Sequence, residues 1–439
     1  MNFKKIPLSF EYPNFKSIKF LRCFKNLEQK LFLLGIFFLP SAPFVSCLLF
    51  MYPLFKGLIK KSETLFKDKE SYPFIIASLI MIIKCILDIY FPPITNESWD
   101  VGLSWLGLVN WIPLFLCYFG FQPYLVTLEQ RLLVSRVFIA STIPIIFSGI
   151  TQYFLKIYGP FKILNGLIIW YQRPIDFENG SGLTSVFNNP NITGTWLTLI
   201  WPFCISILLI NKKNKSKLDF YLTILLCISF VLCAVLTNSR GAWLNLIIPI
   251  PIILGRVSLI WLVPILFLTI TSILFTFIPI VNSEVQAFFR IIIPKKIWVK
   301  FSEIILDFSN FPRIEIWRST VLFISRRPFL GWGAASFPIL FFISTGLSNN
   351  HSHNLFLELS LSYGLIVSTL VFATIACIMY FSFKRISKNK HYIEIINNKA
   401  WWAAAFIFLT SHLYDISYFD LRISIASWIF LAGLRSISY

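Results

Sequence analysis

Acidic side chains are scarce in this chain: 20 Asp and Glu stand against 39 Lys and Arg in 439 residues, and histidine occurs four times. Charged residues of both signs make up only 13%, where a soluble domain carries roughly 25%. A solvated globular surface is therefore excluded. The eight cysteines offer no framework either. Cys47, Cys85, Cys117, Cys204, Cys227, Cys233 and Cys377 lie inside apolar runs and only Cys23 sits in a polar tail, which argues against disulfides and a cysteine metal site. Also missing are a Gly-rich phosphate loop ending in Lys-Ser/Thr, a Gly-x-Ser-x-Gly elbow, internal repeats and low-complexity tracts.

What is present is mostly lipid-soluble. Hydrophobic residues make up 56%, and apolar runs recur from near residue 31 almost to the C-terminus, the composition of an integral membrane protein. A formal charge of +19 would suggest nucleic acid in a soluble protein. Here most Lys and Arg fall in short loops between apolar runs, so the charge reads as a topology signal and no nucleic acid partner is expected.

A spanning helix needs about 20 apolar residues. On that measure the sequence predicts an all-α polytopic membrane protein of about 12 transmembrane helices. The block 31–58, broken by Pro40, Pro43 and Pro53, gives a hairpin of two short helices. Further spans are expected at 72–90, 105–122, 132–153, 193–210, 219–236, 243–255, 258–280, 355–383, 400–413 and 421–434. The apolar stretch after residues 1–30 lacks a small-residue cleavage site and reads as retained helices, not a signal peptide.

Lys212-Lys213-Asn214-Lys215 contrasts with the Lys/Arg-free stretch 91–104, which sets the former inside and the latter outside. Both termini are then cytoplasmic, with 1–30 a cytoplasmic tail, and 1–439 reads as one polytopic domain. Two outside loops are long, 154–192 and 281–354. The larger is predicted to be partly helical: Pro312 opens a helix that Arg326-Arg327-Pro328 closes, and Gly331-Trp332-Gly333 marks a turn. That helix is expected in the membrane interface, with Trp317 toward lipid and Arg313 toward headgroups.

Two polar islands interrupt the apolar pattern, Thr237-Asn238-Ser239-Arg240-Gly241 and His351-Ser352-His353-Asn354, and this topology puts both on the same side. An arginine at the hydrocarbon edge costs on the order of 2 kcal/mol unless it snorkels or finds a partner. Arg240 is thus either an interfacial anchor or a planar fork clamping phosphate oxygens. His353 is either a loop or helix-cap residue or a general base. His351 and His353 have a chelating spacing, but Glu358 falls on the following helix and no Asp-x-Asp or Cys pairing completes a site, so no metal is expected. His391 reads as a solvated loop residue, and His412 ends a span near Asp415. Asn191-Ile192-Thr193 matches a glycosylation sequon, a tripeptide common by chance.

Four signatures occur in order: Phe187-Asn188-Asn189-Pro190-Asn191; Asn238-Ser239-Arg240-Gly241-Ala242-Trp243; Arg313 to Trp317 followed by Pro328-Phe329-Leu330-Gly331-Trp332-Gly333; and His353-Asn354 with Gly364 beyond. Over residues 180–370 this set resembles the O-antigen ligase and O-antigen polymerase-like membrane glycosyltransferases, with Val367 where a second small residue is common. The resemblance implies a GT-C-like enzyme of the bacterial inner (cytoplasmic) membrane, without cofactor or metal. It would move an undecaprenyl-pyrophosphate-linked oligosaccharide, by inversion, to a glycan or lipid-A core acceptor on the periplasmic face, with membrane lipids around it. Arg240 and Arg313 would hold the pyrophosphate and His353 would deprotonate the acceptor, with Ser239, His351 and Asn354 in support. Two other classes compete: a carrier of a small anion such as bicarbonate, using intramembrane Lys84, Arg136 and Arg422, and a non-catalytic assembly partner.

Overall fold

The computed structural model describes residues 26–65, 71–94, 99–176, 180–214, 217–306 and 312–438. Most of the expected cytoplasmic tail, Cys23 included, lies outside the described residues.

The proline-broken first block forms the expected hairpin: α1 (Leu27–Phe38) ends before Pro40, and α2 (Pro43–Leu65) starts on Pro43, where the missing N–H costs nothing. Then come α3 (Tyr72–Tyr90), α4 (Val101–Val109), α5 (Ile112–Phe121) and α6 (Leu128–Phe154), the last opened by a reciprocal capping box between Thr127 and Gln130. The first long loop carries two strands, β1 (Phe161–Ile163) and β2 (Ile168–Trp170), paired antiparallel. This hairpin corrects the all-α expectation; three-residue strands are too short to show an alternation.

Past the hairpin, α7 (Pro190–Asn214) and α8 (Lys217–Leu236) run antiparallel, and α9 (Arg240–Ile247), α10 (Pro249–Leu254) and α11 (Leu259–Leu274) follow. The second long loop is helical in four places, α12 (Ser283–Ile292), α13 (Lys295–Leu306), α14 (Pro312–Arg326) and α15 (Phe337–Thr345). The chain ends in α16 (Leu355–Tyr363), α17 (Leu365–Lys388), α18 (Tyr392–Ser411) and α19 (Leu421–Ser438).

Among the described residues, 9 helical segments are long and apolar enough to cross a membrane, against the expected twelve. Each shortfall has a cause. With 12 residues, α1 is too short. The segment at 243–255 is split by Pro249 into α9 and α10. The segment at 400–413 belongs to α18, which starts earlier than its apolar part because buried Asn397 and Asn398 bond to α6: Arg131 Nε donates to Asn398 Oδ1 at 3.3 Å and Ser135 Oγ to Asn397 Oδ1 at 3.4 Å. Protein donors engage both amide oxygens, so the helix sits inside the bundle with a polarity that a lipid-facing helix could not carry. The span expected at 355–383 is among the nine but is shortened to α17, Gly364 separating it from α16.

The core lies among α5, α6, α7, α18 and α19, where Trp196, Trp401 and Trp428 are fully buried and Phe203 and Phe430 meet Trp401 edge to face. By contrast α11 exposes Ile260 and Phe267 on the periphery. Helices α6, α8 and α18 finish, and α7, α17 and α19 begin, at one end of the bundle, which is where both polar islands lie.

Candidate active site

The stretch from 328 to 333 decides where the second island sits. Trp332 N donates to Leu361 O at 2.7 Å, Gly333 N to Ser362 O at 3.0 Å and Leu365 N to Pro328 O at 2.8 Å, so this turn is laced onto the end of α16. Gly364 adopts φ +89, and a Cβ there would fall 1.9 Å from the Phe329 carbonyl oxygen; Gly331, at φ +67, faces Leu361 O as closely as 2.5 Å. Only glycine fits both demands. The turn also holds α14: Trp332 Nε1 donates to Phe323 O at 2.8 Å and the Arg327 guanidinium lies 4.5 Å from the Trp332 ring centre. The helix that opens with Arg313 is thereby fixed to the helix that begins beside His353.

Contrary to the interfacial expectation, Trp317 packs with Ile316, Phe323, Phe337 and Phe341 in a small core between α14, α15 and α16. Arg313 faces inward as well, near enough to act electrostatically on Asp415, His351 and Tyr414.

His353 takes the left-handed conformation, φ +56, as does Asn238 in the other island. For a non-glycine residue this costs roughly 1–2 kcal/mol and persists where neighbours over-determine it. Here the neighbours are visible. Asn354 caps α16, its Oδ1 accepting from Leu357 N at 3.1 Å, and its Nδ2 donates to Leu413 O at 3.1 Å. Leu355 N donates to His412 O at 2.9 Å, and buried Ser352 donates its N–H to Glu358 at 2.8 Å. The Asn354 amide groups thus join the island to the loop after α18 and to the first turn of α16.

That loop supplies the residue which completes the site. His353 Nδ1 lies 3.1 Å from Asp415 Oδ1, both side chains about one-fifth exposed. Asp415 is held in turn by Asn191, whose Nδ2 donates to Oδ2 at 3.0 Å, and by the Ile416 N–H at 2.9 Å. Burial pushes the Asp415 carboxyl up, but the hydrogen bond from His353, the charge that His353 carries when protonated and the Arg313 charge outweigh it and hold the group below the usual carboxylate range. An ionised Asp415 fixes the proton of neutral His353 on Nδ1 and leaves Nε2 as the acceptor.

His351 stands edge-on to His353, ring centres 4.4 Å apart, and its Nδ1 accepts the His353 N–H at 3.3 Å. Burial, then the neighbouring His353, push the His351 pKa down to about 4. It is neutral at pH 7.

Arg240 opens α9 with Ser239 at the N-cap, whose side chain makes no capping bond. A Cβ on Gly241 would strike the Tyr414 ring at 2.5 Å, so the Ser-Arg-Gly turn lies directly on the residue before Asp415. Burial pushes the Tyr414 phenol up, keeping it protonated. The turn that carries Arg240 thus packs beside Tyr414, while Arg313, His351, His353 and Asp415 lie within electrostatic reach of one another.

One ligand atom each from His351, His353 and Asp415 lie within 4.8 Å of one another, so chelation, set aside in the sequence for want of a third ligand, has that ligand. The atoms Nδ1 and Oδ1 are already engaged with each other, and Arg313 adds positive charge that opposes a dication.

His412 and the intramembrane cations have structural places. His412 is buried, with Nδ1 on Phe408 O at 2.6 Å and Nε2 on Ser417 Oγ at 3.3 Å. Lys84 pairs with Asp88 one turn on, and Arg422 pairs with Asp420 at 2.5 Å while lying over the Phe187 ring. Arg136 is half-buried beside Cys204 and Cys227. Val367, where the family resemblance led to a small residue, is fully buried in α17.

Residues 222–372 match the protein-family model Wzy_C, described as O-antigen ligase. No curated protein matches this chain. The matched stretch contains Arg240, Arg313, His351 and His353, whereas Asn191 and Asp415 lie outside it, one on either side. Neither the fold nor the match supports the anion-carrier reading.

Proposed function

We propose that this O-antigen ligase-like membrane protein is an inverting glycosyltransferase that moves an undecaprenyl-pyrophosphate-linked glycan to a sugar hydroxyl at the periplasmic face. The observation that carries the reading is the hydrogen-bonded chain Asn191, Asp415, His353, set beside Arg313, with the turn that carries Arg240 packed on neighbouring Tyr414. With Nδ1 on the carboxylate, His353 Nε2 takes the proton of the acceptor hydroxyl as its oxygen attacks the anomeric carbon. The bond from that carbon to the diphosphate oxygen breaks on the opposite face, and the lipid diphosphate leaves with the electron pair. Arg240 and Arg313 offset the charge that grows on it, so the pyrophosphate needs no metal to leave. Asp415 steadies the imidazolium that forms.

The acceptor has a place to bind. A cavity of about 290 Å3 borders the histidine loop and is lined by Trp111, Asn350, Glu358, Tyr363 and Phe419, aromatic faces and polar groups suited to a sugar ring. A glycan chain end and a lipid-A core sugar both present such a ring, and the ligase and polymerase forms of the reaction differ in which is used.

The test is reconstitution of the purified protein with a lipid-linked oligosaccharide and candidate acceptors, analysing which molecule gains sugar, with and without a chelator. Transfer that survives the chelator and disappears in His353→Ala supports the scheme. Transfer abolished by chelation and restored by a divalent ion would replace it with a metal-assisted reaction at His351, His353 and Asp415.

A further inference from the structure

The other end of the α17–α18 pair holds a feature that glycan transfer does not use. The two helices are 24 and 20 residues long, about 36 and 30 Å at 1.5 Å per residue, and this distance separates it from His353. There α6 and α18 begin and α17 and α19 end, around a cavity of about 500 Å3.

Arg131 lines the cavity although it is only 4% exposed. Its Nη1 donates to the Leu125 and Val126 carbonyls at 3.1 and 2.7 Å and its Nε to Asn398 Oδ1, so the guanidinium cannot swing away. Nη2 has no hydrogen-bond partner among the described residues. Arg385, Lys388 and Lys390 line the cavity from the exposed side, against Glu394 as the acid in the lining. No side chain caps the N-terminus of α18, which leaves its first backbone N–H groups for a ligand.

Charge placed only to orient a membrane protein needs loops, not a hollow with a buried, immobilised guanidinium at its wall. We propose that the cavity binds a phosphate-ester anion, met in the bilayer as the headgroup of an anionic phospholipid. Arg131 presents a fixed donor, Arg385, Lys388 and Lys390 supply the charge, and Val126, 59% exposed at the cavity edge, offers apolar surface to the lipid chain. A basic hollow between membrane helices near the bilayer surface is where such a headgroup comes to rest.

The test uses the full-length protein, delipidated in non-ionic detergent, and native mass spectrometry with phosphatidylglycerol, phosphatidylcholine or inorganic phosphate. Phosphatidylglycerol should bind at one per chain, at least about tenfold tighter than phosphatidylcholine. The exposed-residue variant Arg385→Gln/Lys388→Gln/Lys390→Gln should weaken it about 100-fold, since each cation near an anionic lipid is worth roughly fivefold. Lys212→Gln/Lys213→Gln/Lys217→Gln removes the same charge at the end of the bundle where α7 ends and α8 begins and should leave binding unchanged. Equal loss in both triple variants, or equal affinity for the two lipids, would overturn the site. Displacement of the lipid by an equal concentration of inorganic phosphate would overturn the lipid as occupant and assign a soluble phosphate ester instead.

Discussion

The two ends of the α17–α18 pair handle positive charge in opposite ways. At the His353 end the groups are few and aimed: two histidines and one aspartate share bonds of 3.1 to 3.3 Å, and the backbone is held left-handed at His353 and Asn238 to aim them. At the other end charge is pooled, with exposed Lys and Arg side chains around an open hollow and only Arg131 fixed. The contrast separates two tasks. A proton transfer fails when an atom moves by an ångström, so its residues are over-determined. Attraction of a headgroup depends on summed charge, so its residues can be mobile.

The largest effects should fall on the aimed end. His353→Ala and Arg240→Ala are each expected to lower glycan transfer by about 10²–10⁴-fold with expression and membrane insertion intact. Arg240→Lys should keep the charge, lose the planar fork and recover little. The measurement is initial rate in the reconstituted assay; full activity in both Arg240 variants would remove the pyrophosphate clamp, while equal losses from Arg385→Gln would erase the distinction between the ends.

A smaller loss is expected for Asp415→Asn, about 10–100-fold, because the imidazole remains but its orienting carboxylate is gone. Rescue separates positioning from folding: Asp415→Glu keeps a carboxylate for Nδ1 and should recover part of the rate that Asp415→Asn loses. Equal loss of rate and of thermal stability in both variants would mark Asp415 as structural only.

Gly241→Ala tests whether the first island really rests on Tyr414. The added methyl meets the ring at 2.5 Å, an overpacking worth about 1–3 kcal/mol, and it should displace the Asp415 loop and reduce transfer along with thermal stability. Wild-type values for both would mean that the two loops are not packed as described.

The smallest effect concerns His351. Its pKa lies at about 4 in the folded protein, below the unfolded value of 6.5, so between those values the unfolded chain binds the extra proton. Stability from this group is present above pH 6.5 and is lost as pH falls toward 4. Thermal denaturation between pH 7 and pH 4 should therefore show a shallower decline in His351→Asn than in the wild type.

Much of this site was legible in the linear chain because a membrane protein makes polar residues conspicuous. Arg240 and His353 stood out from apolar surroundings, and Gly331 and Gly333 marked a turn. Asp415 did not, since an aspartate between two spans is ordinary and its pairing with His353 crosses 62 residues. Asn191 looked like part of a sequon or motif, and its partner lies 224 residues away. Trp317 was misplaced because an amphipathic stretch looks alike whether lipid or protein covers its apolar side. The polar inner helix α18 was read short for a related reason, as hydropathy cannot tell an amide facing lipid from one bonded to a neighbour.

Sequence alone determined the medium this protein lives in, the approximate rhythm of its helices and the two polar islands, because burial in hydrocarbon acts on each residue through its own transfer free energy. Only the tertiary structure decided that the islands meet, that Asp415 stands between them and that Arg131 faces a hollow at the far end. Those are distances between segments remote along the chain, and they are fixed by packing and hydrogen bonding of the whole bundle, which no local property of the sequence records.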